Sequence, residues 1–312
     1  MNSSTTGKLN FIAQGAESSL YRNGKVFIRR DTAGDDAKLI GLEIEECQIN
    51  VVDARELWTP PDLDLNGFEL VLDDPVSGTV DFMNNDTVIH DYYPVCEALL
   101  SERTGARVFA FDHNVRSATG KAGGTKINGG QNVQGPAHMV HGDYTLQSGP
   151  ERLLQLSNMP SGNDTLKGFI GEPLIPAELI DACERFAIVN VWRNIDSFPV
   201  ASHPLALCDG QTVEPEDLVV FEIRYSDRIG ENYFSKVSDR HRFYYWPEMT
   251  QSEALLIKQW DSGGNFAMTK GVEADLYGHP CTFSFHSAFV PDDQVNDAPD
   301  RWSIEVRCIV IY

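Results

Sequence analysis

Positive charge is scarce in this sequence. Its 312 residues include 25 Lys and Arg against 46 Asp and Glu, which gives a formal net charge of −21. No compact basic stripe interrupts this acidic excess, so we expect neither a nucleic acid nor an anionic membrane surface as a partner. A net negative charge of this size is typical of a soluble protein, because like charges keep its molecules apart.

Long apolar runs and closely spaced cysteines are also missing. Nowhere do about eighteen apolar residues follow one another, and the first residues, MNSSTTGKLNFIAQG, lack the charged and apolar regions of an export signal. The six cysteines are widely spread without a CxxC motif, which is typical of buried thiols rather than of a disulfide framework. We therefore expect a cytoplasmic protein that does not associate with membranes.

Short apolar runs separated by turn residues predict a fold built mainly of strands. AIVNVWRNI, DLVVFEIRY and WSIEVRCIVIY are such runs, and their rhythm is typical of an antiparallel barrel or sandwich. Helical spacing predicts flanking helices at DYYPVCEALLSERTGA, at AELIDACERF and at TQSEALLIKQW. In the last of these, Thr250 and Glu253 have the spacing of a capping box. We expect residues 1–85 to cover a barrel formed by residues 86–312, within one continuous domain.

A histidine and an aspartate stand two positions apart in the segment AHMVHGDYTLQ, residues 137–147. In an extended chain, His141 and Asp143 would point to the same face and could hold one metal ion. A second histidine from elsewhere would complete the facial triad of non-heme Fe(II) oxygenases. The polar, Gly-rich stretch 116–136 leads into this segment and is typical of a disordered loop or a lid.

His286 is the best candidate for the missing ligand. It lies in TFSFHSAF, an apolar strand where a buried imidazole needs a partner.

Arg301 and Ser303 follow at the start of the last strand, and their spacing of two places both on one face. A guanidinium and a hydroxyl so placed can bind a carboxylate through charge-assisted hydrogen bonds.

Two further arginines compete for that role. Arg307 shares the face of Arg301 and Ser303, but it could instead pair with Glu305 or with a neighbouring strand. Arg193 ends an apolar strand and must find an anion or water. Its partner could be the cosubstrate, the substrate or a carboxylate in the core.

The order of these parts, His-x-Asp, a distant strand histidine and then Arg-x-Ser, resembles that of iron- and 2-oxoglutarate-dependent oxygenases. From about residue 85 onward the chain resembles the fungal and bacterial hydroxylase/desaturase family, which includes gibberellin-desaturase-like and cephem-methoxylase-like proteins. The resemblance lies in DYYPVCEALL, FDHNVR, VHGDYT, NVWRNI, PLALCD, HRFYYWPEMTQSEALLIKQWDS, FHSAF and RWSIEVR. It implies a distorted double-stranded β-helix core, of the jelly-roll or cupin-like type, that uses Fe(II), 2-oxoglutarate and O2.

The residue patterns described above, together with the resemblance, predict roles for these residues. His141, Asp143 and His286 would be the catalytic iron ligands, leaving three positions for 2-oxoglutarate and O2. Arg301, Ser303 and Arg193 would bind the cosubstrate. The expected reaction hydroxylates, desaturates or oxidatively cyclises a small molecule of specialised metabolism. A redox-inactive cupin-like isomerase or hydrolase and a non-enzymatic binding module remain alternatives, and a homodimer is an option that the sequence leaves open.

Overall fold

A computed structural model describes residues 4–29, 39–73, 80–225, 229–272, 279–295 and 297–312. The strands are β1 Ser4–Ile12, β2 Phe27–Arg29, β3 Ile44–Asp53, β4 Phe68–Leu72, β5 Arg107–Arg116, β6 His141–Gly142, β7 Phe186–Asn194, β8 Leu205–Cys208, β9 Leu218–Arg224, β10 Ile229–Ser235, β11 Phe243–Tyr245, β12 Glu253–Asp261, β13 His286–Ala288, β14 Val290–Pro291 and β15 Ser303–Ile311. The α-helices are α1 Asn85–Thr87, α2 Tyr93–Thr104, α3 Ala118–Ala122, α4 Ser148–Leu156, α5 Ala177–Asp181 and α6 Asn265–Thr269. Other helical turns are the π-helix Val88–Tyr92 and the 3-10 turns Ala54–Glu56, Gly210–Thr212 and Pro215–Asp217.

The strands form two sheets, which confirms the predicted mainly-β fold. The larger has the order β14-β1-β3-β11-β8-β13-β6-β10-β9-β2, and the smaller has the order β4-β12-β7-β15-β5. Apart from β11 beside β3 and β2 beside β9, the paired strands run antiparallel. Neighbours in each sheet are often far apart in sequence, as β6 and β13 are, so the topology joins distant segments.

The smaller sheet separates two apolar regions. One face of β15 presents Ile304 and Val306 to a core that also contains residues of α2. Trp192 belongs to a different core cluster, which includes Leu255, and lies on the other face of the sheet. Because side chains alternate along a strand, each central strand points one set of side chains into an outer core and the other set into the space between the two sheets.

Helix α2 matches the prediction for the segment DYYPVCEALLSERTGA. A proline stands in its first turn, where the missing N–H costs no hydrogen bond. Gly105 follows the last helical residue with φ of 69°, in the left-handed conformation that glycine adopts most easily, and it stops the helix. The strand predicted after it forms as β5.

The prediction of a helix at TQSEALLIKQW is wrong, because these residues form most of strand β12. All nine residues from Glu253 to Asp261 are buried, and β12 pairs with β4 on one side and β7 on the other. A strand covered on both faces has a continuous apolar run, which periodicity alone cannot distinguish from a buried helix. The expected contact between Thr250 and Glu253 exists, but it stabilises a turn: the Thr250 N–H donates to Glu253 Oε2 at 2.8 Å.

The N-terminal strands are continuous with the rest of the fold. Strand β1 lies between β14 and β3, and β3 pairs with β11. Strand β4 forms the edge of the smaller sheet beside β12. The division of the chain at residue 85 stays a prediction.

None of the helices in the described ranges is both long and apolar enough to cross a lipid bilayer.

Candidate metal centre

Strand pairing brings the two predicted histidine ligands together. His141 in β6 lies directly opposite His286 in β13, and their ring centroids are 4.3 Å apart. Asp143 follows β6 immediately, and one potential ligand atom from each of the three residues lies within 4.8 Å of the others. Two imidazole nitrogens and one carboxylate oxygen are the donor set of the facial triad that binds Fe(II).

The hydrogen bond of His141 prepares its ring for a metal. Its Nδ1 lies 2.7 Å from the carbonyl oxygen of Met139, which can only accept, so Nδ1 carries the proton. The lone pair on Nε2 is therefore free, and Nε2 lies 3.6 Å from Asp143 Oδ1. Burial lowers the pKa of His141 to about 4 and also lowers the pKa of His286, which favours the neutral, ligating form of both rings.

The carboxylate of Asp143 is held by one of its two oxygens. Asn190 Nδ2 donates to Oδ2 at 3.0 Å, and Arg307 Nε donates to the same oxygen at 3.1 Å. Burial alone would raise the pKa of Asp143, but the Arg307 charge and the two nearby imidazoles hold it well below its usual range. The orientation leaves Oδ1 facing His141 and available to an ion.

Gln259 contacts both Asp143 and His286. Its Oε1 accepts the backbone N–H of Asp143 at 3.0 Å, and its Nε2 lies 3.5 Å from His286 Nδ1. The register between β12 and β7 shifts between Lys258 and Trp260, so Gln259 occupies a β-bulge. Bulges re-aim side chains beside functional sites. Neither Asn190 nor Gln259 is predicted from the sequence as part of the site, because the helix predicted over Gln259 does not place that residue in a strand.

Replacing Gln259 with leucine should weaken metal binding while the fold survives. Leucine has a similar size but leaves the buried Asp143 N–H without its acceptor and His286 without its neighbour. We expect metal affinity to fall by about tenfold to a hundredfold, the usual effect of losing a residue that orients metal ligands. Titration of the apo-protein with Fe(II) under argon measures this change. Gln155→Leu, on helix α4, is the control and should leave the affinity unaltered.

Arg307 is the electrostatic centre of this region. Its guanidinium contacts Asp143, Asp112 at 2.9 Å and Glu305 at 3.3 Å. This confirms that Arg307 pairs with Glu305 and with a neighbouring strand, since Asp112 lies on β5. Three carboxylates already satisfy this cation, so it has little need of a further anion.

Ser303 is the first residue of β15 and Arg301 precedes it by two positions, in a different environment from that of Arg307. They are only 2% and 1% exposed, yet Arg301 Nε and Ser303 Oγ have no hydrogen-bond partner in the described structure. Arg301 Nη1 donates to the backbone oxygen of His203, and its guanidinium lies 5.6 Å from the Trp192 ring. Burial, followed by the nearby charge of Arg116, lowers the pKa of Arg301 to about 9. Unpaired buried donors of this kind fit a carboxylate ligand.

Arg193 does not face this space. In the register of β7 and β15 it lies opposite Ile304, which points into the outer core, whereas Trp192 lies opposite Glu305. Its guanidinium donates to the Tyr92 hydroxyl at 2.9 Å, to the Asp73 carboxylate and to two backbone carbonyls. Of the partners that the sequence left open for Arg193, the structure shows a carboxylate, that of Asp73, and this placement corrects the cofactor-binding prediction for this arginine.

The chain matches known proteins over nearly its whole length. A protein-family model described as "Oxidoreductase/YMDC permease-like domain" matches residues 9–311. An uncharacterised protein from the dcmA 3′ region of Methylophilus leisingeri is 41% identical over 203 residues, which cover 63% of this chain and 93% of that protein. The Fe(II)/2-oxoglutarate-dependent dioxygenase nvfI of Aspergillus novofumigatus is 31% identical over 265 residues, which cover 83% of this chain and 81% of that protein.

Another relative and a solved structure agree with these matches. The hydroxylase/desaturase efuI of Hormonema carpetanum is 28% identical over 323 residues, which cover 97% of this chain and 94% of that protein. The iron and alpha-ketoglutarate-dependent endoperoxidase NvfI superimposes with a TM-score of 0.73 at 24% identity, over 100% of this chain and 99% of that chain. This structural likeness shows that the fold has a double-stranded β-helix core.

Proposed function

Because this chain belongs to the family of Fe(II)- and 2-oxoglutarate-dependent dioxygenases, we propose specific residues for the iron and cosubstrate sites. His141, Asp143 and His286 bind Fe(II), and Arg301 with Ser303 binds the distal carboxylate of 2-oxoglutarate. The observation that carries the proposal is the convergence of three ligand atoms within 4.8 Å from segments far apart in sequence. The unpaired donors on Arg301 and Ser303 support the second half.

When bound, Fe(II), 2-oxoglutarate and O2 would together supply an oxidation strong enough to remove hydrogen from an unactivated C–H bond, with the cosubstrate converted to succinate and CO2. The protein residues orient and shield these reactants. His141 and His286 offer neutral nitrogens, and Asp143 offers the single anionic ligand. Asn190, Gln259 and Arg307 fix the directions of those side chains through the hydrogen bonds described above.

The enzyme acts on a small molecule, and we propose that it hydroxylates, desaturates or oxidatively cyclises a compound of specialised metabolism. The printed names of the relatives, which include hydroxylase/desaturase and endoperoxidase, support this range of outcomes. Family membership sets aside the redox-inactive isomerase or hydrolase and the non-enzymatic binding module considered from the sequence.

We also propose a cytoplasmic location and a homodimer. A cytoplasmic location is supported by six free cysteines, four of which are buried, since such thiols persist in a reducing compartment. The exposed apolar side chains Trp58 and Leu72 are compatible with a homodimer, which a measurement of mass in solution would test.

The test of the iron and cosubstrate sites is spectroscopic. Addition of Fe(II) and then 2-oxoglutarate under argon should produce a weak visible charge-transfer band, because the keto acid binds the metal directly. His286→Ala should lose this band, whereas His90→Ala, a change at an exposed position, should keep it. A wild-type protein that binds both components without any band would contradict the proposed site.

A further inference from the structure

A second guanidinium, that of Arg116, lies beside the proposed carboxylate site. Arg116 ends strand β5 directly opposite Ser303 of β15. Side chains directly opposite in an antiparallel pair share a face, with Cβ atoms about 5 Å apart. Arg116 therefore faces the same space as Ser303 and Arg301, and its charge acts on Arg301, His141 and His286.

Arg116 and Arg301 share a lack of anionic partners. Within the described ranges, the guanidinium of Arg116 has one hydrogen-bond partner, the backbone oxygen of Gly135, at 3.0 Å from Nη1. Arg301 likewise donates only to a backbone oxygen, that of His203. Neither forms an ion pair with a described carboxylate, whereas Arg307 on the same face as Ser303 contacts three. Arg301 is almost fully buried and Arg116 is partly buried. Two neighbouring cations without an anionic partner are costly unless an anion reaches both.

Hydrogen bonds of Asp300 join the two chain segments that carry Arg116 and Arg301. Asp300 precedes Arg301 and accepts the Ser117 hydroxyl at 2.5 Å and the Thr119 N–H at 3.0 Å. Ser117 follows Arg116 and is fully buried. The Asp300 carboxylate is thus occupied at the start of α3, and its hydrogen bonds tie the end of β5 to the start of β15. The chain segments that carry the two arginines are therefore joined before any ligand arrives.

We propose that Arg116 and Arg301 together bind the distal carboxylate of 2-oxoglutarate, with the Ser303 hydroxyl between them. This inference rests on the proposed function and adds a specificity-determining residue to it. Ser303 lies between the two arginines, because it is opposite Arg116 in the strand pair and two residues after Arg301 on the same face. Glu305 is the next residue on that face; burial and the nearby Asp143 raise the pKa of its carboxyl, whereas the charges of Arg307 and Arg116 act in the opposite direction.

A carboxylate bound by two guanidinium groups should be recognised strongly. The enzyme should therefore discriminate between 2-oxoglutarate and 2-oxopentanoate, which has the same carbon chain and keto-acid end but a methyl group at the distal end. Loss of either arginine should reduce this discrimination. Affinity for 2-oxopentanoate should be unaffected, because that molecule has no distal charge to bind.

The experiment is calorimetric titration of the Fe(II)-loaded protein under argon with each of the two acids. Arg116→Gln should weaken binding of 2-oxoglutarate by about tenfold to a hundredfold, which is the range for a lost charge-assisted hydrogen bond. Its binding of 2-oxopentanoate should stay within about twofold of wild type. Arg116→Lys should retain part of the preference because the charge remains. Arg107→Gln is the matched control, since Arg107 is exposed at the other end of β5.

The outcomes separate this inference from the proposed function. If Arg301→Gln abolishes the preference for 2-oxoglutarate but Arg116→Gln leaves it intact, the role of Arg116 is wrong and the proposed site stands. Equal weakening of both acids by Arg116→Gln also overturns the inference, because it would show a general disturbance of the site. A wild-type protein without any preference would overturn the cosubstrate assignment itself. Thermal melting of each variant identifies any that fails to fold, in which case Arg116→Lys carries the test.

Discussion

Replacing Asp143 with asparagine is expected to abolish turnover although the two side chains have the same shape. Asn190 and Arg307 both donate to Oδ2 of the aspartate, so they will select the amide oxygen at that position. The amide nitrogen is then left facing His141, where a metal requires a lone pair. We expect iron affinity to fall and the rate of succinate formation to drop by at least about a thousandfold, equivalent to about 4 kcal/mol in the barrier.

The comparison for this variant is Asp112→Asn. Asp112 also pairs with Arg307, but it lies on β5 outside the set of three ligands. This control loses one carboxylate charge next to the same arginine and should keep iron binding and most of the activity. An Asp143→Asn protein that bound iron as tightly as wild type would remove Asp143 from the metal centre.

Replacing Arg307 with methionine is expected to give the largest loss of stability. The change leaves Asp143, Asp112 and Glu305 without the cation that all three contact. Removing one member of a buried ion pair typically costs about 3–5 kcal/mol, because the remaining charges stay desolvated and unpaired. Urea unfolding of the metal-free protein measures this loss directly.

Two further variants make the Arg307 prediction specific. Arg307→Lys keeps the charge but loses the planar fork that reaches several carboxylates, so its stability should be intermediate. Glu305→Gln introduced into the Arg307→Met protein should restore part of the lost free energy, because one uncompensated charge disappears. Arg107→Met is the exposed control. A destabilisation below about 1 kcal/mol would place Arg307 among the weak surface pairs.

The sequence predicted those parts of the site that depend only on local geometry. His141 with Asp143, and Arg301 with Ser303, are separated by two positions, and this spacing alone places each pair on one face of an extended chain. His286 was identified because a histidine in an apolar strand needs a polar partner. The structure brings His286 opposite His141, while the binding roles of all five residues stay proposals.

The parts that the sequence did not reveal depend on the register between strands. Asn190 and Gln259 reach the centre because β7 and β12 have particular alignments, including a bulge at Gln259. The charge of Arg193 at the end of an apolar strand predicts contact with the cosubstrate, the substrate or a core carboxylate, but its position in β7 places its side chain on the face that meets Asp73. A shift of one residue reverses the face of every side chain in a strand, so these positions require the fold.

The pairing of the N-terminal strands limits how this enzyme can be engineered. A chimera that exchanged everything before helix α2 with a relative would have to replace β1 and β3 together, since they pair with each other and with β14 and β11. A mismatched donor segment would leave open strand edges, which favour aggregation. Changes that keep both strands and their partners are therefore the safer route to altered selectivity.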